Sequence, residues 1–203
     1  MSDFTGAFIK NSINILEQIN QSEIEAVADV LSRCRAVNGR LFFCGSGGGA
    51  GHSSHATADF RKLGGFEAYS ITDNVSELTA RTNDEGWDTS YSAWLEASKI
   101  RSGDCVFVFS VGGGSEAPPV SVNLVNAVRK AKSVGASAVG VVGRDGGFIR
   151  QAADASILIP TIDSSQVTPQ VEGFQAVMWH LLVSHPKISI ATAKWESLTP
   201  ENK

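Results

Sequence analysis

The sequence contains little of what several protein classes require. Its three cysteines, Cys34, Cys44 and Cys105, form an odd set without paired spacing, which argues against a disulfide framework. The longest apolar runs, 106–109 and 138–142, are far shorter than the ~20 residues needed to cross a bilayer. No basic region followed by an apolar stretch opens the chain, so we expect no secretory signal. These absences predict a cytoplasmic protein with buried, unreactive thiols and no membrane partner.

Charge of one sign is also scarce. The 17 basic and 21 acidic residues leave a formal net charge of −4, so no basic field exists to hold nucleic acid or anionic lipid. We therefore expect no nucleic-acid partner. Hydrophobic residues make up 42% of the chain and charged residues 19%, which is typical of a globular protein. The 203 residues suit one domain with a core of its own.

The spacing of apolar residues predicts alternating helices and strands after two leading helices. The leading helices are expected over 4–19 and 22–37, with Ser22 and Glu25 as a capping box at the start of the second. Strands are predicted at 41–44, 67–71, 105–109, 136–142 and 156–159. Further helices are predicted from the first strand to about residue 63 and over 74–82, 89–99, 118–134 (opened by Pro118 and Pro119) and 171–184.

Strands that alternate with helices predict an α/β fold. We expect a three-layer sandwich in which helices cover both faces of a mostly parallel, five-stranded sheet. No repeat or linker divides the chain, so one domain is expected. It would consist of an N-terminal helical pair (1–38), an α/β core (39–185) and a C-terminal tail (186–203).

Two glycine-rich turns follow predicted strands. They are GSGGGA at 45–50 and SVGGGS at 110–115. In a parallel sheet both lie at the carboxyl edge, where glycines let backbone N–H groups approach an anion beside a helix N-terminus. Two such turns in register favour an anion or sugar-phosphate site. The plainer alternative is that both are only tight connections.

A nucleotide-binding domain is the weakest alternative. The first turn fits the spacing G-x-G-x-x-A, which is a weak match to the dinucleotide fingerprint. The acidic residue expected about 20 positions later would be Glu67, but Glu67 opens the second strand instead of ending it. The second turn is not a P-loop, because no lysine follows it.

The segments CVFVFSVGGGS (105–115) and GRDGG (143–147), with the first turn and its histidine-bearing helix, resemble a sugar isomerase (SIS) domain. The paired leading helices and the C-terminal helix make residues 4–185 similar to phosphoheptose isomerases. The resemblance implies a flavodoxin-like fold and a homotetramer with sites at subunit interfaces. It also implies conversion of sedoheptulose 7-phosphate to D-glycero-D-manno-heptose 7-phosphate.

A metal site is implied by four positions that match this family. His55 and Asp59 are four apart and share one helix face, and the family carries a histidine and a glutamate there. The family's later glutamine and histidine correspond to Glu172 and His180. The resemblance therefore implies that His55, Asp59, Glu172 and His180 bind Zn²⁺ or another divalent transition metal. Taken singly, each is more often a surface residue or a helix cap, and we favour a site because they occur together.

Helix geometry restricts how this set can assemble. Eight residues of helix rise about 12 Å, so Glu172 and His180 cannot easily reach one ion from a straight helix. Either Glu172 lies in the helix's first turn, or one ligand comes from another subunit.

The implied chemistry is aldose–ketose isomerisation through an enediol. We assign Asp59 as the base and His180 as the acid, with the metal polarising the sugar oxygens. Asp84 would contact sugar hydroxyls, although a helix-end cap is an equal alternative. The other expected substrate contacts are Ser46, Gly47, Gly48, Gly49, Ser110, Val111, Gly112, Ser115 and Glu172.

The second turn departs from the family pattern Ser-Thr-Ser-Gly-Asn-Ser. Val111, Gly112 and Gly114 replace the threonine, the second serine and the asparagine, so hydroxyl donors to phosphate are lost. Arg61 and Lys62 either replace those contacts or are solvated charges, and we favour the second. A second hypothesis is therefore a non-catalytic SIS protein that binds a sugar phosphate or a protein partner, as a replication initiator-binding relative does.

Overall fold

The computed structural model describes residues 3–196 and residue 198. Residues 1–2, 197 and 199–203 of the predicted helical pair and tail lie outside the described residues. Within the described part, the helices are Phe4–Gln18 (α1), Gln21–Ala36 (α2), Gly48–Lys62 (α3), Val75–Asp84 (α4), Trp87–Ala97 (α5), Val122–Ser133 (α6), Gly147–Ala152 (α7) and Val167–Ser184 (α8). The strands are Leu41–Gly45 (β1), Ala68–Ser70 (β2), Cys105–Ser110 (β3), Ser115–Glu116 (β4), Pro119–Val120 (β5), Ser137–Val142 (β6) and Ala155–Leu158 (β7). None of the described helices is long and apolar enough to span a membrane.

Five strands form one parallel sheet in the order β2-β1-β3-β6-β7. Counting only the strands of this sheet, the order is 2-1-3-4-5, which is the flavodoxin-like arrangement. Strand β3 lies at the centre, with Cys105 opposite both Leu41 of β1 and Ser137 of β6. The predicted α/β fold with a parallel five-stranded sheet is confirmed.

Alternating strand side chains face two separate hydrophobic cores. Phe43, Phe107 and Val139 pack with apolar residues of α1, α2, α3 and α8 on one face. Phe42 and Val106 pack with residues of α5, α6 and α7 on the other face. Because both faces are covered, the central strands are apolar throughout, as their continuous hydrophobic runs predicted.

The three cysteines are buried and unpaired, as predicted. Burial raises the pKa of the Cys34 thiol to about 12. Burial also raises the thiol pKa values of Cys44 and Cys105, both of which lie in central strands. Since the thiolate is the reactive form, all three thiols are held in their unreactive state at neutral pH.

The predicted capping box at Ser22 is wrong. Helix α2 begins at Gln21, and its N-cap is Asn20, whose Oδ1 accepts a hydrogen bond from the Ser22 backbone N–H at 3.0 Å. The Ser22 hydroxyl also donates to this oxygen, at 2.7 Å. Asparagine favours the N-cap position as strongly as serine, and here the N-cap lies two residues earlier than expected.

The prediction that Pro118 and Pro119 open a helix is also wrong. Strand β5, which begins at Pro119, pairs antiparallel with β4, and helix α6 begins only at Val122. The two prolines therefore belong to a short hairpin, at an edge where no backbone N–H is needed to bond a neighbouring strand. Helix α7 was not predicted from the sequence.

Helix α8 begins at Val167, earlier than the predicted start at residue 171. Pro169 lies in its first turn, where the backbone N–H groups have no partner within the helix. A proline that was assigned to a loop is therefore compatible with the helix start. The earlier start changes the place of Glu172 within the helix.

Candidate active site and metal centre

Three of the predicted site residues converge on one face of the sheet. His55 and Asp59 lie on α3 and His180 lies on α8, and the two helices pack against each other. The Oδ2 atom of Asp59 is 3.9 Å from Nε2 of His55 and 4.0 Å from Nε2 of His180. One ligand atom from each residue lies within 4.8 Å of the others. The imidazoles are half-exposed and the carboxylate is partly buried, so the cluster is open to a ligand.

A backbone contact sets the orientation of His180. Its Nδ1 lies 2.8 Å from the carbonyl oxygen of Ala176, one helical turn earlier. A carbonyl oxygen only accepts, so this contact places a ring proton on Nδ1 and leaves Nε2 facing Asp59. Buried Trp179 lies with its ring 4.7 Å from the His55 ring, which packs one face of that imidazole.

The donor set fits a divalent transition metal. Two imidazole nitrogens and one carboxylate oxygen are the ligands of many catalytic zinc sites, which leave a further position for substrate or water. In this protein those donors are Nε2 of His55, Nε2 of His180 and Oδ2 of Asp59. The hydrogen bond from His180 to Ala176 is the kind of supporting contact that keeps a metal-binding histidine in one tautomer.

Glu172 is not brought to this three-residue cluster. A Cβ placed on Gly48 would lie 2.5 Å from Cδ and Oε2 of Glu172, so the carboxylate lies against the first residue of α3. The N-terminus of a helix favours such an anion. Of the two alternatives, a place for Glu172 in the first turn of its helix is wrong, because α8 begins at Val167, and a ligand from another subunit stays a prediction. Its role as a metal ligand remains a prediction.

The first glycine-rich turn rests on a buried polar network. Gly47 has a φ of 58° and is the N-cap of α3. The Ser46 hydroxyl accepts from Asn123 Nδ2 at 3.4 Å, and the Tyr91 hydroxyl donates to the carbonyl oxygen of Gly45 at 2.7 Å. Burial raises the pKa of Tyr91 to about 12. Sequence analysis missed Asn123 and Tyr91. Each carries a polar group at an inward-facing position of its helix, which is the pattern that could have indicated them.

The second turn is tied to helix α7. The Ser110 hydroxyl accepts a hydrogen bond from the backbone N–H of Gly113 at 3.0 Å. The carbonyl oxygens of Gly113 and Gly114 accept from Ile149 and Phe148, both at 2.9 Å. Ser110 is therefore already engaged within the turn. The other predicted contacts of the second turn line two cavities. Gly112 and Ser115 line one of about 500 Å³, and Val111 lines another of about 600 Å³.

His52 was considered as a substitute ligand or a polar neighbour, with the second favoured. Its Nε2 is buried without a hydrogen-bond partner among the described residues, and its ring lies 5.8 Å from that of Phe109. Burial lowers its pKa, against the opposing effect of nearby Glu172. His52 is outside the three-residue cluster, and its lowered pKa favours the neutral imidazole.

Two other charged residues lie apart from the cluster. Asp84 is exposed at the last position of α4, and its Oδ1 accepts from Asn83 Nδ2 at 2.8 Å. Arg61 donates to the carbonyl oxygen of Ala68 at 3.0 Å and lies over the Tyr69 ring. Arg61 therefore has partners on strand β2, which agrees with the favoured interpretation of a surface charge.

Several curated proteins are similar to this chain. The lincomycin biosynthesis protein LmbN of Streptomyces lincolnensis is 37% identical over 158 residues, which are 72% of this chain and 56% of that protein. The chain thus spans little more than half of the length of LmbN. The phosphoheptose isomerase of Sulfurimonas denitrificans is 31% identical over 184 residues, covering 86% of this chain and 89% of that enzyme.

A solved structure extends the similarity to three dimensions. The phosphoheptose isomerase from Neisseria gonorrhoeae matches with a TM-score of 0.76 and 25% identity, covering 88% of this chain and 94% of that one. These relatives confirm the resemblance and indicate that the chain is an isomerase. A family model described as the SIS domain matches residues 7–143. The chain therefore belongs to the SIS domain family.

Proposed function

We propose that this protein is an aldose–ketose isomerase of sugar phosphates, and that it converts sedoheptulose 7-phosphate to D-glycero-D-manno-heptose 7-phosphate. The observation that carries this proposal is the convergence of His55, Asp59 and His180 from two helices. Relatives named phosphoheptose isomerase support the reaction class. A carboxylate and an imidazole at this distance supply the base and the acid that proton transfer between neighbouring carbons requires.

The proton transfers are assigned to two side chains. The carboxylate of Asp59 takes the proton from the carbon beside the carbonyl, while His180 gives a proton to the carbonyl oxygen. The product of this step is an enediol. Asp59 then returns its proton to the former carbonyl carbon. His180 recovers a proton from the hydroxyl of the carbon that first lost one, and that carbon becomes the new carbonyl, so both groups end as they began.

Zn²⁺ or another divalent transition metal, held by His55, Asp59 and His180, would polarise the sugar oxygens and stabilise the negative charge of the enediolate. Nδ1 of His180 is engaged with Ala176, so ligation and proton donation both use Nε2. One nitrogen cannot do both at once. His180 therefore holds the ion or transfers the proton at any one step, but not both.

The carboxyl edge of the sheet would bind the rest of the sugar phosphate. The glycine-rich turns at 45–50 and 110–115 offer backbone N–H groups there, and Ser115 faces a cavity large enough for a sugar phosphate. We keep Asp84 as a contact for sugar hydroxyls and Glu172 as a further ligand or substrate contact.

We also propose a homotetramer with active sites at subunit interfaces. Three apolar side chains on one stripe of α1 are exposed, namely those of Ile9, Ile13 and Leu16, and Phe4 at the start of the helix is exposed as well. On α8, Val177 and Leu181 are also exposed, and they flank His180. A second copy of the chain over these surfaces would bury apolar area and close the open side of the cluster.

The proposal is tested with purified protein and sedoheptulose 7-phosphate. We expect about one divalent metal ion per chain, by elemental analysis, and formation of heptose 7-phosphate, followed by NMR. Protein that holds no metal and gives no heptose 7-phosphate would instead support the non-catalytic SIS protein. The loss of side-chain donors at Val111, Gly112 and Gly114 is the feature that favours that second candidate.

A further inference from the structure

Arg144 follows strand β6 at the same sheet edge as the two glycine-rich turns. It is exposed, and it has no hydrogen bond or ion pair with any residue that the structure describes. Its side-chain stem lies beside the second turn, since a Cβ placed on Gly112 would be 3.6 Å from Cδ of Arg144. The guanidinium is therefore a free cation next to the turn that lacks several of the family's side-chain donors.

The backbone of Arg144 has an uncommon conformation. Its φ is 55°, in the left-handed region that a glycine adopts without steric cost. The flanking loop contains glycines at 143, 146 and 147, so a glycine at this position would be in keeping with its surroundings. Arg144 instead carries a long cationic side chain in a backbone conformation that disfavours any side chain. Such positions cluster at ligand-binding sites.

Two cavities meet at Arg144. One of about 500 Å³ is also lined by Gly112, Gly114 and Ser115 of the second turn. The other, of about 600 Å³, is lined by Val111 together with the hydroxyl-bearing residues Thr161, Ser164 and Thr168. Arg144 thus lies where backbone N–H groups and hydroxyls surround enough space for a phosphate and part of a sugar.

The neighbouring charged groups already have partners. Glu116, which lines the smaller cavity, forms an ion pair with Arg129. The Oδ1 atom of Asp145 accepts from the backbone N–H of Gly147 at 3.1 Å. Arg150 on α7 pairs with Glu23 at 2.7 Å. Arg144 is therefore the cation of this loop that is free to take an external anion.

The first glycine-rich turn is less suited to bind a phosphate. The carboxylate of Glu172 lies against Gly48, at the N-terminal end of α3. A second anion there would meet like-charge repulsion from that carboxylate. The anionic end of a ligand is therefore directed to the second turn.

We propose that Arg144 binds the phosphate group of the substrate at the second glycine-rich turn, together with Ser115. This inference rests on the proposed function and adds a residue that determines specificity for phosphorylated sugars. The guanidinium supplies charged, forked donors in place of the missing hydroxyls. Of the two carboxylates nearby, that of Glu116 is balanced by the charge of Arg129, and that of Asp145 accepts a hydrogen bond from the backbone N–H of Gly147.

Isothermal titration calorimetry with sedoheptulose 7-phosphate and with inorganic phosphate tests this role. Arg144→Met keeps the length of the side chain and removes its charge. We expect it to weaken the binding of both ligands about 10- to 100-fold, the range for a lost hydrogen bond to a charged group. Arg144→Lys should weaken binding less, because it keeps the charge without the fork.

Arg101→Met is the matched control. Arg101 is also exposed, and it precedes β3 at the opposite edge of the sheet. The control removes the same charge and should leave both dissociation constants unchanged. Circular dichroism of each variant confirms that it is folded.

Equal dissociation constants for wild type and Arg144→Met would overturn the inference, and so would wild-type protein that binds neither ligand. The proposed function is judged separately, by turnover. If phosphate binding depends on Arg144 but no heptose 7-phosphate forms, the binding role stands and the isomerase proposal fails. If heptose 7-phosphate forms but Arg144→Met binds both ligands as the wild type does, the isomerase proposal stands and the binding role of Arg144 fails.

Discussion

The Nε2 atom of His180 lies 4.0 Å from the Oδ2 atom of Asp59, across the packed interface of helices α8 and α3. Neither helix carries the candidate site alone. The relative position of the two groups is set by buried residues between the helices and the sheet, including Phe60 and Trp179. Proton transfer and metal binding therefore both depend on this interface, since small displacements of reacting groups lower rates steeply.

Zinc binding should depend on His55. The His55→Ala variant loses one of three donors, and we expect the zinc dissociation constant to rise at least about tenfold, or about 1.4 kcal/mol. Competition with a chromophoric chelator measures the change.

His185→Ala provides the control for that measurement. His185 lies outside the cluster and contacts Glu25 at 3.0 Å. The His185→Ala variant should bind zinc as the wild type does. An unchanged zinc affinity in His55→Ala would show that the ion is held elsewhere.

Two glycine substitutions should change stability in opposite directions. Gly113 has a φ of 74°, and a Cβ there would lie against the carbonyl oxygen of Gly146. We expect Gly113→Ala to lower the free energy of unfolding by at least about 2 kcal/mol, from strain and overlap together. Urea denaturation measures this change.

Gly51 is the matched position for that test. It lies within α3, and a Cβ there would have no neighbour within 4 Å. Gly51→Ala should raise the free energy of unfolding by about 0.5–1 kcal/mol, because alanine favours the helix. Equal effects of the two substitutions would contradict the backbone geometry of the second turn.

The protein should lose stability in alkaline solution. Burial raises the pKa of Cys34 from 9.0 to about 12 and that of Tyr91 from 10.0 to about 12. Both groups are neutral in either state well below pH 9. Above it, the unfolded chain ionises first, so the free energy of unfolding should fall progressively between about pH 9 and 12.

Urea denaturation at several pH values checks this expectation. The Tyr91→Phe variant should show a smaller fall between pH 10 and 12, because one of the groups no longer titrates. A flat profile in the wild type would mean that these groups are not buried as the structure shows.

Local pattern was enough to predict the fold and part of the site. The spacing of four residues places His55 and Asp59 on one helix face, and this depends only on the helix itself. His180 was linked to them only through the family resemblance. Its distance from Asp59 depends on how α8 lies on α3, which no local pattern in the sequence encodes.

The features that were missed depend on contacts between distant segments. Glu172 lies against Gly48, and Asn123 lies under Ser46, because of the packing of whole helices. The helix start at Asn20 was missed for a local reason, since asparagine and serine are equally good caps. Arg144 likewise lies beside Gly112 only because the loop after β6 packs next to the second turn, which is a contact between distant segments.

Solvent exchange into the sugar is the most direct test of the central claim, that Asp59 moves a proton between neighbouring carbons. Wild-type protein, Asp59→Asn and the control Asp88→Asn are incubated with sedoheptulose 7-phosphate in deuterated water, and NMR follows deuterium at the carbon beside the carbonyl. Asp88 is an exposed carboxylate in the first turn of α5. We expect exchange by the wild type and the control, and a rate at least about 10²-fold lower for folded Asp59→Asn. Exchange by Asp59→Asn at the wild-type rate would contradict the account.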